Sequence, residues 1–202
     1  MRLYFSPGAC SLSPHIALRE AGLEFHLERV HLGTKKTRSG ADFTRINPKG
    51  YVPALELEDG QVLTEGPAIV QYIADLRPGS GLAPPAGSLD RYRLQEWLSF
   101  IGTELHKQFS PLFTPRAPDE QKTAARAYLG RRLAFAAQRL DGAPYLMGDR
   151  FTVADGYLFT VLTWTRFARI DLGAFPALVA YAERVGARPA VQAAMKAERE
   201  MR

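Results

Sequence analysis

The first eighty residues switch between two hydrophobic periods. Arg2-Leu3-Tyr4-Phe5-Ser6, closed by Pro7-Gly8, reads as a short strand, and Phe25 to His31 as a second. Ala54-Leu55-Glu56-Leu57-Glu58 alternates apolar and acidic, Asp59-Gly60 marks a tight hairpin, and Gln61-Val62-Leu63 returns. Spacing of three and four marks helices. Ser13-Pro14 predicts a helix start, with the Ser13 hydroxyl as cap and proline suited to a first turn. That helix runs to Glu20 or Ala21 and stops at Gly22, where left-handed backbone costs little. The polar stretch from Gly33 to Asn47 is expected to hold an irregular helix. Ile69, Tyr72, Ile73 and Leu76 then fall on one helix face. The order is β-α-β-(α)-β-β-α, an α/β layer with parallel and antiparallel pairing.

Arg77 to Ser88 is dense in proline and glycine and reads as a linker, after which no strand pattern follows. Leu94, Trp97, Leu98, Ile101 and Leu105 are spaced for one helix face, and Tyr128, Arg132 and Phe135 for another. Thr152-Val153-Ala154-Asp155 is a capping-box variant opening a buried helix through Leu158, Val161 and Leu162. Ala177 to Val185 and Pro189 to Arg199 supply two more helices. The fold class is therefore α/β plus all-α. Residues 1–80 form the first domain, 81–87 a linker and 88–202 a helical bundle.

Composition narrows the function. The chain has 202 residues, 46% hydrophobic and 23% charged, which is ordinary for a globular protein. Lys and Arg number 26 against 21 Asp and Glu, with basic and acidic residues interleaved rather than blocked, so nucleic acid is not an expected partner. The single Cys10 excludes an internal disulfide and a cysteine zinc site, and no metal is expected. Met1 to Cys10 has no leader pattern, and the longest apolar stretch, Tyr157 to Trp164, is far below membrane-spanning length. A cytoplasmic protein without a membrane partner is expected. Arginine outnumbers lysine 20 to 6, as in chains from GC-rich bacterial genomes.

Three places carry candidate chemistry. Cys10 stands between a strand end and a helix start, where free N–H groups and the helix dipole favour thiolate; packing as a small hydrophobe is the other reading. Cys10-x-x-Ser13 has the form of a redox pair lacking its second thiol, so any thiol exchange needs a sulfur from a small molecule. Val52-Pro53 precedes a strand, as a trans turn or a cis bond. Thr64-Glu65-Gly66-Pro67 opens a helix, where N–H groups suit a carboxylate and Glu65 suits an ammonium, or Glu65 merely complements the dipole.

These segments in this order resemble the cytosolic glutathione transferases, most closely the bacterial beta class. The resemblance rests on Pro7-Gly8-Ala9-Cys10-Ser11, Asn47-Pro48-Lys49-Gly50-Tyr51-Val52-Pro53, Leu63-Thr64-Glu65-Gly66-Pro67, Thr103-Glu104-Leu105-His106-Lys107 and Phe151-Thr152-Val153-Ala154-Asp155. It implies a thioredoxin-like domain followed by an all-helical domain, in a homodimer. It implies glutathione as co-substrate, with Cys10 and His106 catalytic. Ala9, Ser11, Lys35, Val52 before a cis Pro53, Glu65 and Gly66 would bind the tripeptide. Ser99 and Glu104 would reach it across the dimer, Glu104 at the γ-glutamyl amine. Lys107, Phe109, Phe113 and Trp164 would line the pocket for a small hydrophobic electrophile.

The chain departs from the family pattern in three places. Phe5 and Ser6 stand where many classes place a catalytic tyrosine, and Tyr4 should point away from the site. Ser99 replaces a frequent asparagine, and Gly66 a frequent serine. The expected activity is conjugation of the glutathione thiolate to hydrophobic electrophiles with Cys10-dependent thiol–disulfide exchange. Glutathione-dependent reductive dehalogenation and a non-catalytic carrier or regulator of the same fold are the alternatives.

Overall fold

The computed structural model describes Met1–Met201; Arg202, the last residue of the expected helical domain, lies outside the described residues. Two compact units are present. One is Met1–Ala83 together with the segment from Ala187 onward, and the other is Pro84–Gly186. The helix expected at 189–199 therefore groups with the sheet, not with the bundle.

The first unit follows the order β1 (Arg2–Phe5), α1 (Leu12–Glu20), β2 (His26–His31), β3 (Lys36–Thr37), β4 (Ala54–Glu56), β5 (Val62–Thr64) and α2 (Gly66–Leu76). The strands lie in the order β3-β2-β1-β4-β5. β1 is parallel to β2, which requires the α1 crossover, and antiparallel to β4, whose hairpin delivers β5. Leu3 stands opposite both Leu27 and Leu55. Leu3 and Phe5 are wholly buried on one face of β1. Tyr4 packs on the other with Val30, Phe43, Val52 and Ala54. A strand covered on both faces reads as a continuous apolar run, and this one does.

Local departures from expectation have identifiable causes. α1 begins at Leu12 after Ser11, and the Ser13 hydroxyl is buried without a hydrogen-bond partner, so it caps nothing. The helix ends as expected at Gly22, at φ +62°, with Gly22 N–H donating to Arg19 and Leu23 N–H to Leu18. β3 has only two residues and no apolar alternation to announce it. The irregular helix in the polar stretch is one 3-10 turn, Phe43–Arg45, with Asp42 accepting from the Thr44 N–H.

α9 (Pro189–Glu200) buries Val191, Ala194 and Glu198 along one stripe. Glu198 accepts from the Gly8 N–H at 2.9 Å and from His15 Nδ1 at 3.1 Å. Arg19 Nε donates to His15 Nε2 at 2.9 Å, so the ring proton of a neutral His15 must be on Nδ1.

The second unit contains α3 (Leu89–Phe100), α4 (Ser110–Phe113), α5 (Asp119–Arg139), α6 (Val153–Leu162), α7 (Thr165–Ala168) and α8 (Pro176–Gly186). The stripe Leu94, Trp97, Leu98, Ile101 and Leu105 is buried as its spacing predicts. α5 buries a different stripe from the expected one: Ala125, Leu129, Leu133 and Ala136 go inward, while Phe135 stays 52% exposed. All ten residues of α6 are buried. Asp155 anchors its start, accepting from Thr152 N–H and Oγ1, from Leu146 N–H and from the Tyr181 hydroxyl. Among the described residues no helix is long and apolar enough to cross a membrane.

Candidate functional site

The turn between β1 and α1 carries the thiol. Its shape comes from Ser11, whose buried hydroxyl accepts from the Ser6 N–H at 3.1 Å and donates to the Ser6 carbonyl at 3.3 Å. Ser11 is wholly buried and its hydroxyl is taken up by Ser6, so its place here is to hold the turn. Ala9 rests on the Tyr4–Val52 cluster. Cys10 is partly exposed, and its Sγ donates to the Val52 carbonyl at 3.2 Å. Tyr4 lies on the sheet face with its hydroxyl donating to Glu56 Oε2 at 2.7 Å, so it is committed elsewhere. Burial, then the Glu56 carboxylate, raises the Tyr4 phenol above its ordinary range.

The Val52–Pro53 bond is cis. Sequence reasoning gave no role to Asn47, yet this residue shapes the loop that presents Val52. Asn47 is 1% exposed; its Nδ2 donates to the Tyr51 carbonyl at 2.7 Å and its Oδ1 accepts from the Lys49 N–H. Asn47-Pro48-Lys49-Gly50 is turn chemistry, and that was the available signal.

Lys35 and Glu65 share an uncommon backbone. Both sit at positive φ, +57° and +70°, as otherwise only Arg169 does among the described non-glycine residues. Such conformations cost roughly 1–3 kcal/mol each and gather at ligand sites. Lys35 Nζ donates to the Gly50 carbonyl at 2.6 Å, and an ammonium has two further donors. Glu65 precedes α2, and its half-exposed carboxylate accepts from Lys49 Nζ at 2.6 Å. That hydrogen bond holds the Lys49 ammonium above its ordinary range. Lys49 was absent from the expected site, and it occupies the ammonium position Glu65 was expected to offer a ligand. Gly66 is not required by space: a Cβ there would meet Pro53 Cγ at 3.9 Å, an ordinary contact.

The other expected residues belong to the helical unit. Ile101–Leu105 is a π-helical turn and His106–Phe109 a 3-10 turn, so Glu104 and His106 do not share one α-helix. Ser99 is exposed, and its carbonyl accepts from Thr103 Oγ1. Glu104 Oε2 accepts from the Tyr128 hydroxyl and pairs with Arg132 Nε at 2.8 Å. Half-buried His106 lies between Trp164 and Tyr157, with ring centroids 4.9 and 5.8 Å away. Phe109 is wholly buried, Trp164 is 6% exposed and Phe113 is 48% exposed, the three rings packing within 6 Å. Of the three rings Phe113 thus presents most of the apolar surface, and Lys107, in the 3-10 turn before α4, is exposed.

Comparison with known proteins identifies the family. Residues 8–76 match the glutathione S-transferase N-terminal domain and residues 100–189 the C-terminal domain. Glutathione S-transferase GstA of Escherichia coli O157:H7 is 47% identical over 98% of both chains. The chain belongs to the glutathione S-transferase family. A solved sphingomonad glutathione S-transferase complexed with glutathione is 54% identical, with a TM-score of 0.95 over 98% of both chains. The bacterial beta class glutathione S-transferase of Sphingomonas chungbukensis is 50% identical, again with a TM-score of 0.95 over 98% of both chains. The sheet unit is the family's N-terminal thioredoxin-like domain, and the bundle its helical domain. In this transferase-family chain no group of three or more His, Cys, Asp and Glu residues among those described is placed to hold a metal ion.

Proposed function

We propose that this chain conjugates glutathione, through its thiolate, to small hydrophobic electrophiles, and that Cys10 additionally runs thiol–disulfide exchange. The carrying observation is the loop that sets the Val52 carbonyl 3.2 Å from Cys10 Sγ at the end of the sheet. There the backbone of Val52 can pair with the cysteine of an extended tripeptide, as a strand adds to a sheet edge. That pairing would place the tripeptide sulfur near Cys10. Lys35 would hold the glycine carboxylate. Glu65 would hold the γ-glutamyl ammonium, taking it in place of Lys49, and Gly66 the adjoining carboxylate through its N–H.

In conjugation, the bound thiolate displaces a leaving group or adds to an electrophilic carbon, and His106 assists at the sulfur. In exchange, the Cys10 thiolate attacks a mixed disulfide of glutathione and releases the other thiol. A second glutathione thiolate then attacks the Cys10–glutathione disulfide, releasing oxidised glutathione and Cys10. The working form is a cytoplasmic homodimer serving detoxification, with Ser99 and Glu104 given to the neighbouring site. Both contacts that hold Glu104 fall on Oε2, which leaves Oε1 for an ammonium.

Retention on glutathione resin with elution by free glutathione tests the binding. An assay panel of an aryl halide, hydroxyethyl disulfide and an organic peroxide tests the chemistry. Turnover of the first two supports the proposal; neither retention nor turnover refutes it.

A further inference from the structure

His106 follows an irregular stretch of backbone. After α3 the chain makes the π-helical turn Ile101–Leu105, then tightens into the 3-10 turn His106–Phe109. A π turn inserts an extra residue and redirects the side chains after it, and such turns recur at functional sites. The redirected imidazole meets a buried phenol. The Tyr157 hydroxyl lies 2.6 Å from His106 Nδ1, and the two rings meet edge-on at 83°. Tyr157 is 4% exposed and sits in the first half of α6, whose start is anchored by Asp155.

The direction of this hydrogen bond decides what His106 can do. A phenol is a good donor with an ordinary pKa of about 10, and a neutral imidazole has one acceptor nitrogen. If the phenol O–H donates to Nδ1, the ring proton is on Nε2. Nε2 is then an N–H donor, which can stabilise a thiolate. The opposite tautomer would present a lone pair at Nε2 and repel the same anion.

We propose that Tyr157 is the positioning residue for His106, donating to Nδ1 and thereby holding the imidazole in its Nε2–H tautomer. The consequence for catalysis rests on the proposal that His106 assists the glutathione sulfur. The tautomer itself does not.

Two measurements on the full chain separate these. Long-range proton–nitrogen correlation spectra of histidine-labelled protein at neutral pH should show His106 protonated at Nε2 only. Tyr157→Phe should relax it toward a mixture of tautomers. An Nδ1–H tautomer in the wild type, or an unchanged tautomer in Tyr157→Phe, overturns the proposal. Kinetically, Tyr157→Phe should lower kcat for aryl halide conjugation several-fold while the glutathione KM stays within about twofold. In a His106→Ala background the same substitution should have no further effect. Loss of activity in both backgrounds would make Tyr157 a structural residue and overturn the proposal. If His106→Ala alone leaves conjugation intact, the role of His106 falls, and the spectra still decide the hydrogen bond.

Discussion

Cys10 Sγ lies 3.2 Å from the carbonyl oxygen of Val52, and only a protonated thiol can donate across that gap. The helix-start argument from sequence favours a thiolate, and this acceptor opposes it. A tripeptide that pairs with Val52 would compete for the same carbonyl. Cys10 should therefore form a reversible disulfide with glutathione under oxidising conditions, seen as one glutathionyl mass increment lost on reduction. Cys10→Ala should abolish disulfide exchange and retain part of the aryl halide conjugation, because His106 and backbone N–H groups remain. Full exchange activity in Cys10→Ala would make Cys10 a packing residue.

Glu198 ties the last helix to the loop before Cys10. Its carboxylate is 3% exposed and serves Gly8 and His15, with Arg19 behind the imidazole. Glu198→Ala removes the carboxylate that accepts from the Gly8 N–H and from the buried His15 imidazole. Stability should fall by about 2–4 kcal/mol, read from urea denaturation. Cys10 alkylation should also quicken as the loop loosens. A variant as stable as the parent would show that water replaces the carboxylate at no cost.

Asp155 receives four donors at the start of α6, so Asp155→Ala should cost about 2–4 kcal/mol. Burial pushes its carboxyl above the ordinary range, against the pull of those donors. The folded chain then binds its proton more tightly than the unfolded chain, whose carboxyl titrates near pH 4. The Asp155 contribution to stability should fall as pH rises from about 4 through the raised value. The alanine variant should lack that component, which a series of melts between pH 3 and about 7 would reveal.

Much of the fold was legible because it rests on local chemistry. The β1 run, the Asp59-Gly60 hairpin, the stop at Gly22 and the Thr152–Asp155 box each need only neighbours in sequence. What escaped depends on distant groups. β3 is two residues held by β2, and the Ser13 hydroxyl lost the cap because α1 starts one residue after Ser11. α9 packs on α1 and reaches the loop before Cys10 through Glu198, far along the chain from Gly8 and His15. In the candidate site, the motifs that hold Cys10, Val52 and Glu65 stand out in the sequence. The Lys49 and Tyr157 contacts do not, since each pairs residues from separate elements.

A homodimer is expected, with Glu104 of each chain serving its neighbour. Arg132 and Tyr128 hold that carboxylate in place. Sedimentation at working concentrations should give twice the chain mass, and Glu104→Ala should weaken glutathione binding without dissociating the pair. A fully active monomer would contradict the arrangement.

Glutathione is expected to bind along Val52 with its γ-glutamyl end at Glu65. Calorimetric titration with S-methylglutathione, which cannot form a disulfide, tests it most directly. One site per chain is expected in the wild type. Glu65→Ala should bind several-fold to a hundredfold more weakly, about 1–3 kcal/mol for a charge-assisted hydrogen bond, with an unchanged melting temperature in the absence of ligand. Absence of binding by the wild type, or equal affinity in the two proteins, would contradict the account.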